Sequence, residues 1–236
     1  MKTITLAMCV LLSLMLVGIA GCGEDFDDKT QVQINKKNVD EQPAATTDPA
    51  AAPAAPATTD PAAAPAAPAA DVKTYAIVTD DSSIDWEGSK VTETHIGGFA
   101  EFTGTVTVPG GNIEQLSVEV TVVMDSLYSD AGGLTEVMKD PKFFDVATHP
   151  QSTFKSTGVT KGEAADEYMV SGDFQLNGVT NNITFPATIK LDGDSLTASS
   201  EFAVNRLDWN VVYQGVGDGV IYDKALIRFE VVAKAQ

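Results

Sequence analysis

The chain has 236 residues and a formal net charge of −18, with 33 acidic side chains against 15 basic ones. That balance excludes a nucleic-acid partner, because phosphate backbones are held by basic patches, and it disfavours a domain lying flat on an anionic membrane. An acidic, self-repelling, soluble surface is the plainer reading of the charge.

In chain order, Lys2 and the apolar run from Ile4 to Ala20 form a secretory signal over residues 1–21. The run ends in Ile19-Ala20-Gly21-Cys22, which resembles the bacterial lipobox. The resemblance implies cleavage before Cys22 and a diacylglycerol on its sulfur, a membrane anchor for the mature chain. An ordinary signal with a chance cysteine and a short transmembrane anchor are the alternatives. The run is short for a span of about 20 residues. Gly23 after the cysteine favours the outer membrane, facing the periplasm. Cys9 leaves with the signal, so no thiol is left for a disulfide, a metal site or a nucleophile.

Residues 22–42 are polar and expected to be disordered. Residues 43–70 contain only Pro, Ala, Thr and Asp, and a twelve-residue unit occurs in tandem at 46–57 and 58–69. The unit lacks the apolar side chains a solenoid needs. As extended polyproline II it makes a semi-rigid linker, reaching roughly 80–90 Å at full extension. That length predicts a barrel held well away from the bilayer.

Residues 71–236 make one domain, and from Tyr75 onward the period changes to two. Val118, Val120, Val122 and Met124 alternate with more polar neighbours, as do Ile183, Phe185, Ala187 and Ile189, and Ile227, Phe229 and Val231. Further strands are expected near 83–87, 93–108, 152–160, 167–176 and 195–204. Turns fall at Pro109-Gly110-Gly111-Asn112, Asn177-Gly178, Asp192-Gly193-Asp194 and the glycine-rich 215–219. One helix is expected over 131–140, with Leu134, Val137 and Met138 on one face and Pro141 as its stop. Behind it, Phe143-Phe144 and His149-Pro150 form an irregular apolar plug. Eight antiparallel strands in one domain make a sandwich or a closed barrel, and periodicity alone leaves a packed core and a cavity equally open.

Ile84-Asp85-Trp86, His95-Ile96-Gly97-Gly98-Phe99 with Phe102-Thr103-Gly104, and Phe143-Phe144-Asp145-Val146 through His149-Pro150 to Phe154-Lys155-Ser156-Thr157 stand in a particular order. Gly172 to Thr180, Asn205-Arg206-Leu207-Asp208-Trp209 and Ile221-Tyr222-Asp223 continue it. Together, over about 74–236, they resemble the YceI-like family of periplasmic proteins. The resemblance implies an all-β fold, an antiparallel eight-stranded lipocalin-like barrel with one short helix. It also implies a long apolar cavity for a polyisoprenoid or a similar long-chain amphiphile such as a quinone. In family members a cationic residue often follows the Gly-Val-Thr segment, whereas Asn181-Asn182 stands here.

The expected cavity lining is Phe99, Phe102, Val120, Val122, Leu134, Met138, Phe143, Phe144, Phe154, Phe174, Leu176, Phe185, Phe202, Trp209 and Phe229. For any single ring plain core filling is the competing role. His95 and Arg206 are the head-group candidates. Each has a structural alternative: a loop carbonyl for His95, a neighbouring acid for Arg206. The spacing of His95 and His149 does not suggest a metal site. No catalytic residue, metal or cofactor is expected beyond the bound lipid or quinone. The partners expected are that lipid, the membrane through Cys22 and, at most, a second copy of the chain in a homodimer. The rival functions are an enzyme acting on an isoprenoid or quinone lipid and a barrel serving as a protein-interaction platform.

Overall fold

The computed structural model describes residues 30–35, 71–215 and 220–236. The signal segment, Cys22, the linker at 43–70 and most of the glycine-rich turn at 215–219 lie outside the described residues.

The strands are β1 (Gln33–Asn35), β2 (Val72–Ile77), β3 (Ser83–Lys90), β4 (Glu93–Phe99), β5 (Phe102–Pro109), β6 (Ser117–Val123) and β7 (Leu127–Ser129). Then come the helix α1 (Gly132–Lys139) and β8 (Gln151–Lys161), β9 (Glu167–Leu176), β10 (Val179–Asp192), β11 (Ser195–Asn205) and β12 (Ile221–Ala235). All the strand pairs are antiparallel and close into a ring. The order around it is β2, β5, β6, β8, β9, β10, β11 and β12, with Ala233 of β12 opposite Ile77 of β2 at the join. This is the eight-stranded barrel that the family resemblance implies, and one of the two architectures, sandwich or barrel, that the periodicity allows.

Three of the eight staves are bent rather than continuous. β2 runs on into β3, β4 into β5, and β6 into β7, so that β12 pairs with β2 near one end and with β3 near the other. The first bend is the short 3-10 turn Thr79–Asp81. Its polar side chains bond to nearby backbone instead of leaving it to a ladder. Ser82 Oγ donates to Val78 O at 2.7 Å, and Thr79 Oγ1 donates across to Phe102 O at 3.0 Å.

All the short connections but two lie at one end, here the lower end: the turns after β5, β8 and β10. The two upper tight turns are the β3–β4 hairpin and Asn177-Gly178, where both residues have positive φ, 49° and 74°, as a two-residue hairpin of this kind demands. The long connections, α1 with residues 140–150 and the 206–220 segment, are both at the upper end. α1 ends where expected: Asp140 is extended, with ψ 150°, because Pro141 disfavours a helical residue before it.

Pro186 shapes the wall. It has no N–H, and prolines inside sheets sit where a ladder bond is dispensable. β10 pairs with β9 along its whole upper length, but its ladder to β11 stops at Thr188 opposite Ser199. Ser200 Oγ takes the Pro186 carbonyl instead. Above this point β10 and β11 part, and residues 30–35, inside the stretch whose composition predicts disorder, pair with both.

Candidate functional site

The barrel encloses a cavity of about 550 Å³. Its wall follows from the two-residue period of the staves. Ile183, Phe185, Ala187 and Ile189 of β10 face it, as do Val118, Val120 and Val122 of β6 and Ile227, Phe229 and Val231 of β12. Phe185 is the hub of the aromatic wall. Its ring stacks on Phe202 with centroids 4.4 Å apart, lies 5.5 Å from Phe154 and meets Phe229 edge-on at 6.0 Å. Two rings lie flat because the facing residue has no side chain. A β-carbon on Gly172 would collide with the Phe154 ring, and one on Gly97 with Trp86 and the Tyr128 carbonyl.

Thirteen of the fifteen residues expected as lining border the cavity: Phe99, Val120, Val122, Leu134, Met138, Phe143, Phe144, Phe154, Phe174, Leu176, Phe185, Phe202 and Phe229. Phe102 and Trp209 do not. Phe102 is buried at the start of β5, on the same face of the strand as Val106 and opposite Val122, yet its ring does not border the cavity. Trp209 lies on the 3-10 turn Arg206–Trp209 rather than on a stave. It is fully buried behind the wall, its Nε1 donates to Phe174 O at 3.1 Å, and its ring backs Phe174 at 5.2 Å.

Trp86 of β3 borders the cavity too, and it was not among the expected lining residues. Its Nε1 is buried and, among the described residues, is the buried side-chain polar atom without a hydrogen-bond partner. The signal for it was present: an Asp-Trp-Glu-Gly run of strand period with a Gly-Gly pair in the next stave.

The upper mouth is covered by the apolar plug. Turns within residues 140–150 set Phe143 edge-on to Phe144 at 4.8 Å, and Phe143 reaches Tyr213 of the 206–220 segment at 5.7 Å. Both phenylalanines border the cavity. His149 closes the turn by packing over Gly178.

His95 and Arg206 also border the cavity, and both are already engaged. His95 Nδ1 is 3.0 Å from Asp130 Oδ1, and its Nε2 is 3.4 Å from Glu93 Oε2, which ties β4 to the start of the helical segment. Arg206 is 6% exposed. Its Nε donates to Tyr222 O at 3.0 Å, its Nη2 to Ile221 O at 3.2 Å, and its Nη1 to Val211 O. Asp223 Oδ1 stands 3.4 Å from Nη2. Burial lowers the guanidinium below its ordinary pKa, and the Asp223 carboxylate offsets part of that. Arg206 thus acts as a brace holding both ends of the upper loop.

The family profile described as the YceI-like domain matches residues 75–233. Over 98 residues, 42% of this chain, the sequence is 35% identical to Protein YceI of Salmonella arizonae, and it spans about half (50%) of that relative's length. Protein YceI of Salmonella newport matches at the same 35%. Among solved structures, Burkholderia cenocepacia BcnA superposes with a TM-score of 0.60 at 22% identity, over 67% of this chain and 99% of that one. A polyisoprenoid binding domain from Saccharophagus degradans superposes with a TM-score of 0.53 at 16% identity, over 69% and 98%. At these identities the structural likeness is one of fold.

Proposed function

Since the chain belongs to the YceI-like family, we propose that its barrel binds a polyisoprenoid or a similar long-chain amphiphile, such as a quinone, and stores or carries it in the cell envelope. The observation that carries this reading is the cavity itself. Well-packed interiors leave few voids larger than a water molecule, whereas about 550 Å³ lies within the range of sites that hold small ligands. The wall is aliphatic and aromatic almost throughout. A hydrocarbon tail gains about 0.8 kcal/mol for each CH₂ it buries and needs no polar partner along its length. The likeness to a polyisoprenoid binding domain supports the ligand class.

The tail lies along Phe185 and its neighbours, and the head lies toward the upper mouth. His95 and Arg206 give their hydrogen bonds to the protein, so their part at the mouth is to hold its walls. Trp86 offers the unused donor beside the cavity. Entry is from a bilayer through the upper end, where Val91, Val212 and Val220 are each more than half exposed. The lipid anchor at Cys22 keeps the barrel at the membrane, on the periplasmic face of the outer membrane. The test is lipid extraction and mass spectrometry of the full chain purified from its own host. One long-chain lipid near stoichiometric amount is the expected result. A reproducibly empty barrel would sink the reading.

A further inference from the structure

The segment 30–35 is woven into the barrel on both sides. Val32 N–H donates to Ala203 O at 3.1 Å, and Ala203 N–H donates to Thr30 O at 3.0 Å, a parallel contact with β11. On the other side β1 runs antiparallel to β10, with Gln33 opposite Thr184, Ile34 opposite Ile183 and Asn35 opposite Asn182. These are the edges that β10 and β11 leave open above Pro186. The side chains fit the slot. Gln31 and Gln33 are exposed, while Val32 and Ile34 are half-buried and pack against the barrel core, the alternation of a wall strand.

The course of the chain changes the meaning of the Pro/Ala repeat. β1 climbs toward the upper end, because it is antiparallel to the descending β10, and the chain re-enters the barrel at Val72, at the lower end beside Pro109. Residues 36–71 therefore begin and end on the same barrel. Between Cys22 and Thr30 only residues 23–29 are left, which reach about 25 Å when fully extended. The sequence alone, by contrast, predicts a stand-off of roughly 80–90 Å through the proline-rich linker.

We propose that the slot between β10 and β11 is a strand-accepting site for the chain's own residues 30–35. Its occupancy, not the length of the Pro/Ala repeat, fixes how far the barrel sits from Cys22. Main-chain bonds to the two edges supply the attachment, and alternate inward side chains supply the selection, as in other strand-addition interfaces. The filled slot also pairs Asn182–Thr184 of β10 and Ala203 of β11 above the point where Pro186 ends the ladder, and open edges of this kind invite pairing with other chains. None of this depends on which ligand the cavity holds.

Two measurements on the full chain test it. The first is site-resolved hydrogen exchange at Ala203. The Val32→Asp, Ile34→Asp double variant is expected to speed exchange of that amide at least tenfold, while the β10–β11 pairs from Thr188–Ser199 downward keep their protection. Deletion of residues 58–69 is expected to change neither. Unchanged Ala203 exchange in the double variant would overturn the docking. The second is the spin–spin distance between labels at Glu24→Cys and Thr197→Cys, in a chain that also carries Cys9→Ser and Cys22→Ser, so that lipidation plays no part. The distance should stay the same on deleting 58–69 and should lengthen and broaden in the double Asp variant. A distance that shortens with the repeat and ignores the Asp substitutions would make the repeat the spacer and refute the proposal.

Discussion

The lower and upper ends of the barrel are made from the same staves and finished in opposite ways. At the lower end, Lys73 Nζ reaches Asp194 Oδ1 at 2.7 Å and Gly193 O at 3.1 Å, and Tyr75 Oη donates to the same carbonyl at 3.1 Å. These bonds fasten β2 to the β10–β11 turn. Tyr75, Val108, Leu196 and Ala233 are buried there almost completely. At the upper end the connections are long, two aromatic rings cover the mouth, and Val91, Val212, Val220 and Tyr222 face solvent. The difference teaches that one end is tied and tightly packed, while the other is covered by long connections and presents apolar side chains to solvent. Of these lower-end residues, Tyr75, Val108 and Ala233 are buried against protein and do not border the cavity. At the upper end some face empty space, so removing them should cost less stability and more ligand.

Substitution of Tyr75 by alanine should have the largest effect, about 3–5 kcal/mol of unfolding free energy, the usual range for a large buried aromatic, read by urea titration. If Tyr75→Ala and Phe144→Ala cost the same, the contrast between the ends fails. Arg206→Met comes next. It would leave the carbonyls of Val211, Ile221 and Tyr222 without their donor, at about 2–3 kcal/mol, with faster hydrogen exchange confined to the 206–223 segment. Loss of protection spread evenly over the barrel would show that Arg206 supports the whole fold and not the mouth. Phe144→Ala should cost about 1 kcal/mol or less in stability, because its ring already borders a void. It should also weaken lipid retention roughly tenfold, equivalent to about 1.4 kcal/mol, in competition against a fluorescent long-chain probe. Full retention would mean that the two phenylalanines only close the barrel.

The smallest effect belongs to the lower ion pair. Lys73 lowers the Asp194 pKa and Asp194 raises the Lys73 pKa, in each case chiefly through their hydrogen bond. The Asp194 contribution is in place above the ordinary carboxylate pKa and is lost as pH falls through the lowered folded value. The Lys73 contribution is in place below the ordinary amine pKa and is lost as pH rises through the raised one. Melting temperature should therefore hold between those limits and drop slightly outside them, and Asp194→Asn should flatten the acid-side drop. An acid-side drop unchanged in Asp194→Asn would remove the pair from the account of the closed end.

Much of this was legible in the chain. Period-two runs mark β6, β10 and β12. The strands expected near 83–87, 93–108, 152–160, 167–176 and 195–204 fall on the other staves, while β2 and the break between β4 and β5 carry no such mark. Pro141 marks the helix end by simple sterics. The same alternation in β6, β10 and β12 brings Val120, Val122, Phe185 and Phe229 to the cavity. It fails at Trp209, which sits on a 3-10 turn outside any strand, and it does not separate Phe102, on the cavity-side face of β5, from the residues that border the void. Trp86 was legible only through two strands together, its own period-two run and the Gly97-Gly98 pair, whose Gly97 makes room for its ring. β1 was hidden for a stronger reason. Two apolar residues among polar ones carry almost no local signal, and what makes them a strand is an opening created by Pro186, far along the chain. Whether an alternating face meets another side chain or a void is likewise set by curvature and bends, which no single strand encodes.

The proline gap in the wall also bears on the order of events during folding. β1 is made first, yet its two neighbours are among the last staves to be synthesised, and pairings so distant in sequence form slowly. Residues 30–35 have nowhere to dock until β10 and β11 have settled and parted. Their capture would then be a late step, separating a finished barrel from an incomplete one by whether the leading segment is still free.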